Sequence, residues 1–515
     1  MRSDVLEEAT ELVAAGRELY ARDQAALAVL GELDRRLREP LRLALAGIVK
    51  AGKTTLLNAM LGEQIAPTDA GECTRVVTWY RYADTPSITA YLSRGEELRL
   101  PVRRVDGKLI LDLGELTSGE VDRIEVGWPS GVLRSMILID TPGIASLSQD
   151  LSARSTTFLA PEDAPSSADA IVYLVRHLHP SDMRFLEAFR DTAAGPSQTV
   201  NAVAVLSRAD EIGSGRIDSL LSAGKVSKRY EMDGDLNSLA LGVVPVAGLL
   251  AEGARTLRES EFAALRTLAS LERRERERLL LSSDRFVGPT DTSGLDVSAR
   301  RELLARFGIF GVRLATSLIR TGVSDSSELA DRLIQHSGLH ELNRFVETHF
   351  GPRTSTLKVR AVLDALERLL RDRPIEGAET IVAGIERIRA TAHGLRELSL
   401  LSTLRVGDVH LPPEEAADVV RVIGGLGSSA EARLGLPPGT AQEQLAERVD
   451  AELSHWRARG QSPILDRASL EVGRVVIRSL EEVASHVGSA RAHRAASDVV
   501  MASGPLDGAG EHARD

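Results

Sequence analysis

The sequence predicts two architectures in one chain: a doubly wound α/β domain on a mixed, mostly parallel sheet, and an elongated antiparallel helical bundle. Three observations carry that prediction. Leu41 to Asn58 reads L-R-L-A-L-A-G-I-V-K-A-G-K-T-T-L-L-N, an apolar strand-like run that ends at Gly47 and opens into a helix through the spacing G-x-x-x-x-G-K-T. Runs such as M-I-L-I and A-I-V-Y-L-V are apolar without alternation, as in strands covered on both faces. After Gly248 such runs stop and helical periodicity takes over.

At 515 residues the chain exceeds what one core organises, so two or more domains are expected. A net charge of -11 argues against a broad nucleic-acid-binding face, and no nucleic-acid partner is expected. The single cysteine, Cys73, excludes an internal disulfide framework and fits a reducing cytosol. His177 and His179 form an isolated pair rather than a metal cluster. The N-terminus is acidic and heptad-patterned, unlike a signal peptide. No charge-free run reaches the roughly 18 residues of a spanning helix, so any membrane contact is expected to be peripheral or through a partner.

In chain order, Val5, Ala9, Leu12, Gly16, Leu19, Ala26, Leu30, Leu33 and Leu37 step by three and four. That reads as one long helix with a coiled-coil seam, interrupted by Asp23 and weakened at Gly16. At 1.5 Å per residue it would run about 50 Å, and residues 1–38 are assigned to the helical bundle. Predicted strands then follow at 41–46, 76–82, 88–92, 121–126, 136–139, 170–175, 200–206 and 243–246.

The G-x-x-x-x-G-K-T spacing is the P-loop pattern, in which backbone N–H groups and a helix N-terminus cradle phosphates. Gly47, Val49, Lys50, Ala51, Gly52 and Thr55 build the cradle, Lys53 reaches the β- and γ-phosphates, and Thr54 holds Mg²⁺. Only six of the 63 basic residues are lysines, and two of the six, Lys50 and Lys53, lie in this loop. Asp140-Thr141-Pro142-Gly143 follows the strand M-I-L-I as D-x-x-G, placing Asp140 to contact Mg²⁺ through water and the Gly143 N–H to sense the γ-phosphate. Thr74, in Cys73-Thr74-Arg75, is placed to close on Mg²⁺ as a switch threonine, with Thr78 the second choice. Ser207-Arg208-Ala209-Asp210 fits the [N/T]-K-x-D base-recognition pattern with Ser for Thr and Arg for Lys. Asp210 would accept from the guanine N1–H and exocyclic amine, a donor pair adenine lacks on that edge, while the Arg208 stem covers the base. Val246-Ala247-Gly248 fits the loop whose backbone contacts the guanine oxygen. These residues together predict GTP and Mg²⁺ as ligands.

Beyond Gly248, 254–281 contains a charged amphipathic helix and 299–320 another. Gly338 to Leu342 resembles the start of the last helix of a GTPase domain, which makes about 250–335 a helical insertion in a domain spanning 39–351. From Thr354 to Ser497 the reading is all helix and 352–500 completes the bundle. Thr440 with Glu443 is expected to form a capping box, and Ser462-Pro463 to open the last long helix. Gly424 to Pro438 reads as a loop or stalk tip, and 501–515 as a disordered tail.

The runs G-I-V-K-A-G-K-T-T-L-L-N-A-M-L-G, A-P-T-D-A-G-E-C-T-R-V-V-T and L-I-D-T-P-G resemble the bacterial dynamin-like GTPases, especially the actinobacterial branch with the isoniazid-inducible proteins. The resemblance implies a GTPase domain on a helical neck and trunk, hydrolysis promoted by GTPase-domain dimerisation, and membrane remodelling. It also implies a homodimer, or a heterodimer with a paralogous dynamin-like protein, in the cytoplasm at the inner face of the cell membrane. One departure concerns the eukaryotic dynamins, which carry Gln and Ser where this chain has Val49 and Lys50. Val49 cannot orient the attacking water. Lys50 either supplies the charge that a monovalent cation brings in those proteins or points to solvent. A GTP-binding scaffold of low activity, working with a paralogous partner, is the alternative function; a ribosome-associated GTPase is disfavoured by the acidic balance.

Overall fold

The structure is a computed structural model that describes residues 2–67, 76–105, 107–143, 167–194, 201–212, 216, 218–232, 236, 239–289, 293–406, 409, 411–461 and 466–502. It divides into two compact units, Met1–Arg389 and Ala390–Asp515.

The first unit is built on a nine-stranded sheet in the order β11-β10-β9-β1-β8-β2-β7-β3-β4. The strands are β1 (Leu41–Gly47), β2 (Val77–Tyr82), β3 (Ser87–Leu92), β4 (Glu97–Leu100), β5 (Arg103–Val105), β6 (Lys108–Ile110), β7 (Val121–Trp128), β8 (Met136–Asp140), β9 (Ala170–Val175), β10 (Ala202–Ser207) and β11 (Val243–Val246). Strands β11, β10, β9, β1 and β8 run parallel. Strand β2 pairs antiparallel with β8, parallel with β7, and β3 closes antiparallel on β7. Every residue of β1, β9 and β10 is buried, which is why those runs carry no polar alternation. Strands β4, β5 and β6 were not expected from the sequence; β5 and β6 pair only with each other, and all three are largely exposed.

The expected single N-terminal helix is instead two, Arg2–Leu19 and Gln24–Arg38. Asp23 is the N-cap of the second, accepting from the Ala25 and Ala26 amides at 3.0 and 3.1 Å. The seam survives because Gly16 packs against Leu30, where a Cβ would come within 3.0 Å of Leu30 Cδ2. Both helices pack on the helix Thr354–Asp372. They meet the sheet through a buried ion cluster: Arg36 Nη2 donates to Asp169 Oδ1 at 2.6 Å, Asp169 Oδ2 accepts the Arg42 amide at 2.9 Å, and Lys358 Nζ donates to the Arg36 carbonyl at 2.7 Å. Burial works to raise the Asp169 carboxyl, and Arg36, Lys358 and Arg42 overcome it and hold it low.

After β11 the chain leaves the sheet for helices at Gly248–Arg255, Glu259–Ser270, Arg273–Leu279, Ser283–Val287, Val297–Arg320 and Ser326–Ser337. The expected helix over 254–281 is broken at Leu271-Glu272, where Glu272 caps a new helix through the Arg274 amide. These helices bury their own core, including Phe262, Leu265, Phe286, Phe307, Phe310 and Leu329. The excursion ends where Ser337 returns to β11, its carbonyl accepting the Ala247 amide at 2.8 Å, and the helix Leu339–His349 follows.

The second unit contains the helices His393–Val406, Pro413–Val422, Ala430–Leu434, Gln442–Gly460 and Arg467–Ala502. Its last two helices pack along each other. The expected Thr440–Glu443 capping box does not form. The helix starts at Gln442 with Ala441 as N-cap, and Thr440 Oγ1 donates to the Pro437 carbonyl at 2.6 Å. The last helix starts at Arg467, with the Ser469 amide donating to Asp466 Oδ1 at 2.8 Å; Ser462 and Pro463 lie outside the described residues. The expected loop over 424–438 contains the short helix Ala430–Leu434, whose Leu434 is buried.

Candidate functional site

Strand β1 ends at Gly47, where φ is 143° and a Cβ would stand 2.5 Å from the Leu174 carbonyl oxygen, so glycine alone lets the chain turn out of the sheet beside β9. The loop from Ile48 to Gly52 then enters the helix Lys53–Leu61. Within it Lys50 has φ 63°, and the other non-glycine residue with positive φ among those described is Arg208, at 52°. The two outliers hold each other. Arg208 Nη2 donates to the Lys50 carbonyl at 3.2 Å and its Nη1 to Glu211 Oε1 at 2.8 Å. Backbone strain kept at two residues in contact ties the Ser207–Asp210 loop to the phosphate loop. The Lys50 side chain itself is exposed.

Lys53 is 8% exposed, and its Nζ donates to the carbonyls of Gly47 and Ile48 at 3.0 and 3.2 Å. Burial lowers its pKa while Asp140 acts in the opposite sense. Thr54 Oγ1 donates to Asp140 Oδ2 at 2.8 Å. Burial raises the Asp140 carboxyl against the pull of Lys53 and of the Thr54 hydrogen bond. Asp140 Oδ1 is buried and accepts no hydrogen bond among the described residues. A hydroxyl and a carboxylate in contact, with a second carboxylate oxygen short of donors, are hard oxygen ligands of the kind Mg²⁺ takes, so these residues fit the ion. The turn after β8 is pinned by Thr141 Oγ1, which donates to the Leu45 carbonyl at 2.8 Å. Gly143 lies so close to the phosphate loop that a Cβ would fall 2.5 Å from Val49 Cγ2.

Beside the phosphate loop opens a cleft of ≈ 580 Å³, counting the space open to solvent. Ala51, Gly52 and Thr55 line one side; Ser207, Arg208 and Asp210 line the other. Ser207 is fixed by its Oγ, which donates to the Val175 carbonyl at 3.1 Å. Asp210 is 9% exposed, and burial raises its carboxyl. Val246, Gly248 and Leu249 also line it, whereas Ala247 is absent from the lining and its amide is engaged by Ser337.

The fold thus brings Gly47, Val49, Lys50, Lys53, Thr54, Asp140 and Gly143 together at the ends of β1 and β8, and gathers Ala51, Gly52, Thr55, Ser207, Arg208, Asp210 and Gly248 around the cleft. Thr74 lies outside the described residues; Thr78 is buried in β2. Sequence reasoning missed Leu174, Val205 and Glu211 in the lining, and also Leu249 and Leu56. The signal for the last two was adjacency alone, Leu249 following Gly248 and Leu56 lying one turn into the P-loop helix.

A phosphate loop at the end of a buried strand, a carboxylate on its Thr54 and a cleft lined by Asp210 define a P-loop nucleotide-binding protein of the α/β class. Residues 43–188 match the dynamin family. The chain is 40% identical over 466 residues to the isoniazid-induced protein IniC of Mycobacterium tuberculosis, covering 90% of this chain and 94% of that protein. It belongs to the dynamin family, as a bacterial dynamin-like GTPase. It is also similar to the isoniazid-induced protein IniA of the same organism, 35% identical over 145 residues, or 27% of this chain and 21% of that one. A bacterial dynamin-like protein of Nostoc punctiforme is 29% identical over 162 residues, 29% of this chain and 22% of that one. A solved oligomerised bacterial dynamin pair, described as sensing and tethering membranes over long range, aligns over 96% of this chain and 75% of that chain at TM-score 0.35 and 13% identity.

Proposed function

We propose that this chain hydrolyses GTP to GDP and phosphate, and that nucleotide-dependent dimerisation of its α/β domain moves the helical part of the chain at a membrane. The observation that supports this best is the Thr54–Asp140 contact beside Lys53, one residue from Gly52, which lines the same cleft as Asp210. With GTP in the cleft, Lys53 leaves the Gly47 and Ile48 carbonyls for the β- and γ-phosphates. Thr54, Thr74 and, through water, Asp140 would hold Mg²⁺, which supplies charge neutralisation on the phosphates. The Gly143 amide contacts the γ-phosphate, and Asp210 accepts from the guanine edge. Catalysis on this reading is positioning and charge neutralisation. A charge from a partner is worth about 10³ to 10⁵ in rate. Lys50, exposed on the phosphate loop, is the group we assign to the role of the monovalent cation. Among the described residues no helix is long and apolar enough to cross a membrane, and we propose peripheral contact, direct or through a partner, at the inner face of the cell membrane. Residues 1–38 and 352–500 form the stalk on this reading.

The chemistry of Val49 favours a second reading. It is 43% exposed, lies against Gly143 and cannot orient water, as in a GTP-binding scaffold that hydrolyses little and works with a paralogous dynamin-like protein. GTP turnover per molecule, measured across a wide range of protein concentration with Lys53→Ala as control, separates the two. Specific activity that rises with concentration, and a control without turnover, is the outcome expected of the first. Binding without turnover at every concentration leaves the scaffold.

A further inference from the structure

We infer that the helical insertion is part of the base-recognition machinery, its corner at Gly308 forming the wall that holds Asp210 for guanine; this rests on the guanine-nucleotide reading above. The helix Val297–Arg320 is broken at one residue, Gly308, with φ 63° and ψ 170°, a conformation open essentially to glycine alone. The break is held from both sides. Before it, Arg306 donates through Nε to Glu261 at 2.7 Å and through Nη2 to the Thr256 carbonyl at 2.7 Å. Phe307 is buried so close to Gly253 that a Cβ there would lie 2.9 Å from its ring. After it, Phe310 is buried and Gly311 abuts Leu250, where a Cβ would lie 3.0 Å from Cδ1. The corner therefore cannot shift without repacking the insertion's core.

At the corner itself, a Cβ on Gly308 would stand 3.7 Å from Asp210 Oδ2 and 3.7 Å from Leu249 Cδ2, both residues of the cleft lining. Asp210 has no side-chain donor among the described residues, since Arg208 is turned to Glu211 and to the Lys50 carbonyl. Burial raises its carboxyl, and the corner is one of the surfaces standing against it. A carboxylate screened on one face by bare backbone, and open on the other to the cleft, offers its lone pairs toward an incoming N1–H and exocyclic amine. Because backbone alone fills that position, the wall goes where the insertion goes. Displacing the corner tilts Asp210 or admits water to it, and hydrogen bonds to guanine weaken. Gly308 is thus a positioning residue, acting through Asp210.

The test compares GTP with ITP, which lacks only the exocyclic amine, by competition against a fluorescent GTP analogue on the full chain. Gly308→Val is set beside Gly294→Val, a second insertion glycine at φ 64° whose Cβ would touch Thr267 and no cleft residue. The preference for GTP over ITP is expected to fall roughly tenfold in Gly308→Val, the scale of one hydrogen bond. In Gly294→Val it stays at the wild-type value even where the unfolding temperature drops as far. Gly308→Ala carries the comparison if valine prevents folding, with a smaller fall expected. Equal preference in the wild type and the folded Gly308 variants overturns the inference and leaves the guanine reading intact. A wild type without preference for GTP overturns the guanine reading and the inference with it.

Discussion

Asp140 in the first unit, half-buried with its Oδ1 shut from solvent, and Glu397 in the second, buried, both accept a hydrogen bond from a hydroxyl, yet their titration is displaced in opposite directions. Glu397 is held by Arg433 at 2.8 and 3.2 Å through both guanidinium ends and by Ser479 Oγ at 2.7 Å, with His393 Nε2 3.4 Å away. Burial opposes its charge, but hydrogen bonds and charge from His393, Arg433 and Ser479 outweigh it and bring the carboxyl down to about 2. Asp140 has the Thr54 hydroxyl and a weak contribution from the Thr141 amide, and the nearby Lys53 gives its protons to backbone carbonyls, so burial prevails and the carboxyl rises. The second unit spends its buried charge on joining helices; the first keeps a carboxylate short of donors where an ion and a phosphate would meet. A buried carboxylate is diagnostic of a site through the donors it lacks, more than through its burial.

The sharpest way to break this comparison is Arg433→Met. Leaving Glu397 buried without its cation is expected to destabilise the second unit by about 3–5 kcal/mol, read by calorimetry, while GTP affinity stays at the wild-type value. Acid sharpens the same point. The folded Glu397 titrates near 2 against an ordinary 4.5, so its stabilisation is complete above about pH 4.5 and is lost as pH falls toward 2. The loss reaches about 3 kcal/mol, and the Arg433→Met protein should show less of it across the same pH series. The smallest effect is expected at the other carboxylate. Lys53→Ala should move the unfolding free energy by no more than about 1 kcal/mol, because Lys53 is desolvated and not paired to Asp140, although nucleotide turnover disappears.

Where the sequence was legible, a single physical demand fixed the pattern. Strands β1, β8, β9 and β10 are buried on both faces, and their continuous apolar runs announced them to within a residue or two at most ends. The phosphate loop was legible because its spacing is set by the ligand rather than by packing. Strands β4 to β6 were not, since three- and four-residue exposed strands leave no period to count. The interruption at Asp23 was legible, but that it separates two helices was not, because the heptad steps continue across it and Asp23 serves as the cap that starts the second. Gly308 had a signal, an isolated glycine inside a helical run at F-G-I-F-G. What no pattern could supply was its neighbour, Asp210, almost a hundred residues earlier in the chain.

The hydrogen bond from Ala247 to Ser337 closes the insertion on itself at the end of β11. In the language of chain statistics, the excursion has almost no end-to-end displacement, and the entropy of closing such a loop grows only with the logarithm of its length. With a core of its own, this segment can gain or lose helices between relatives without disturbing the register of the sheet. If the corner at Gly308 holds Asp210 as inferred above, the segment's variation is limited there, and in divergent relatives the insertion's size should drift while a bare-backbone break opposite that aspartate persists.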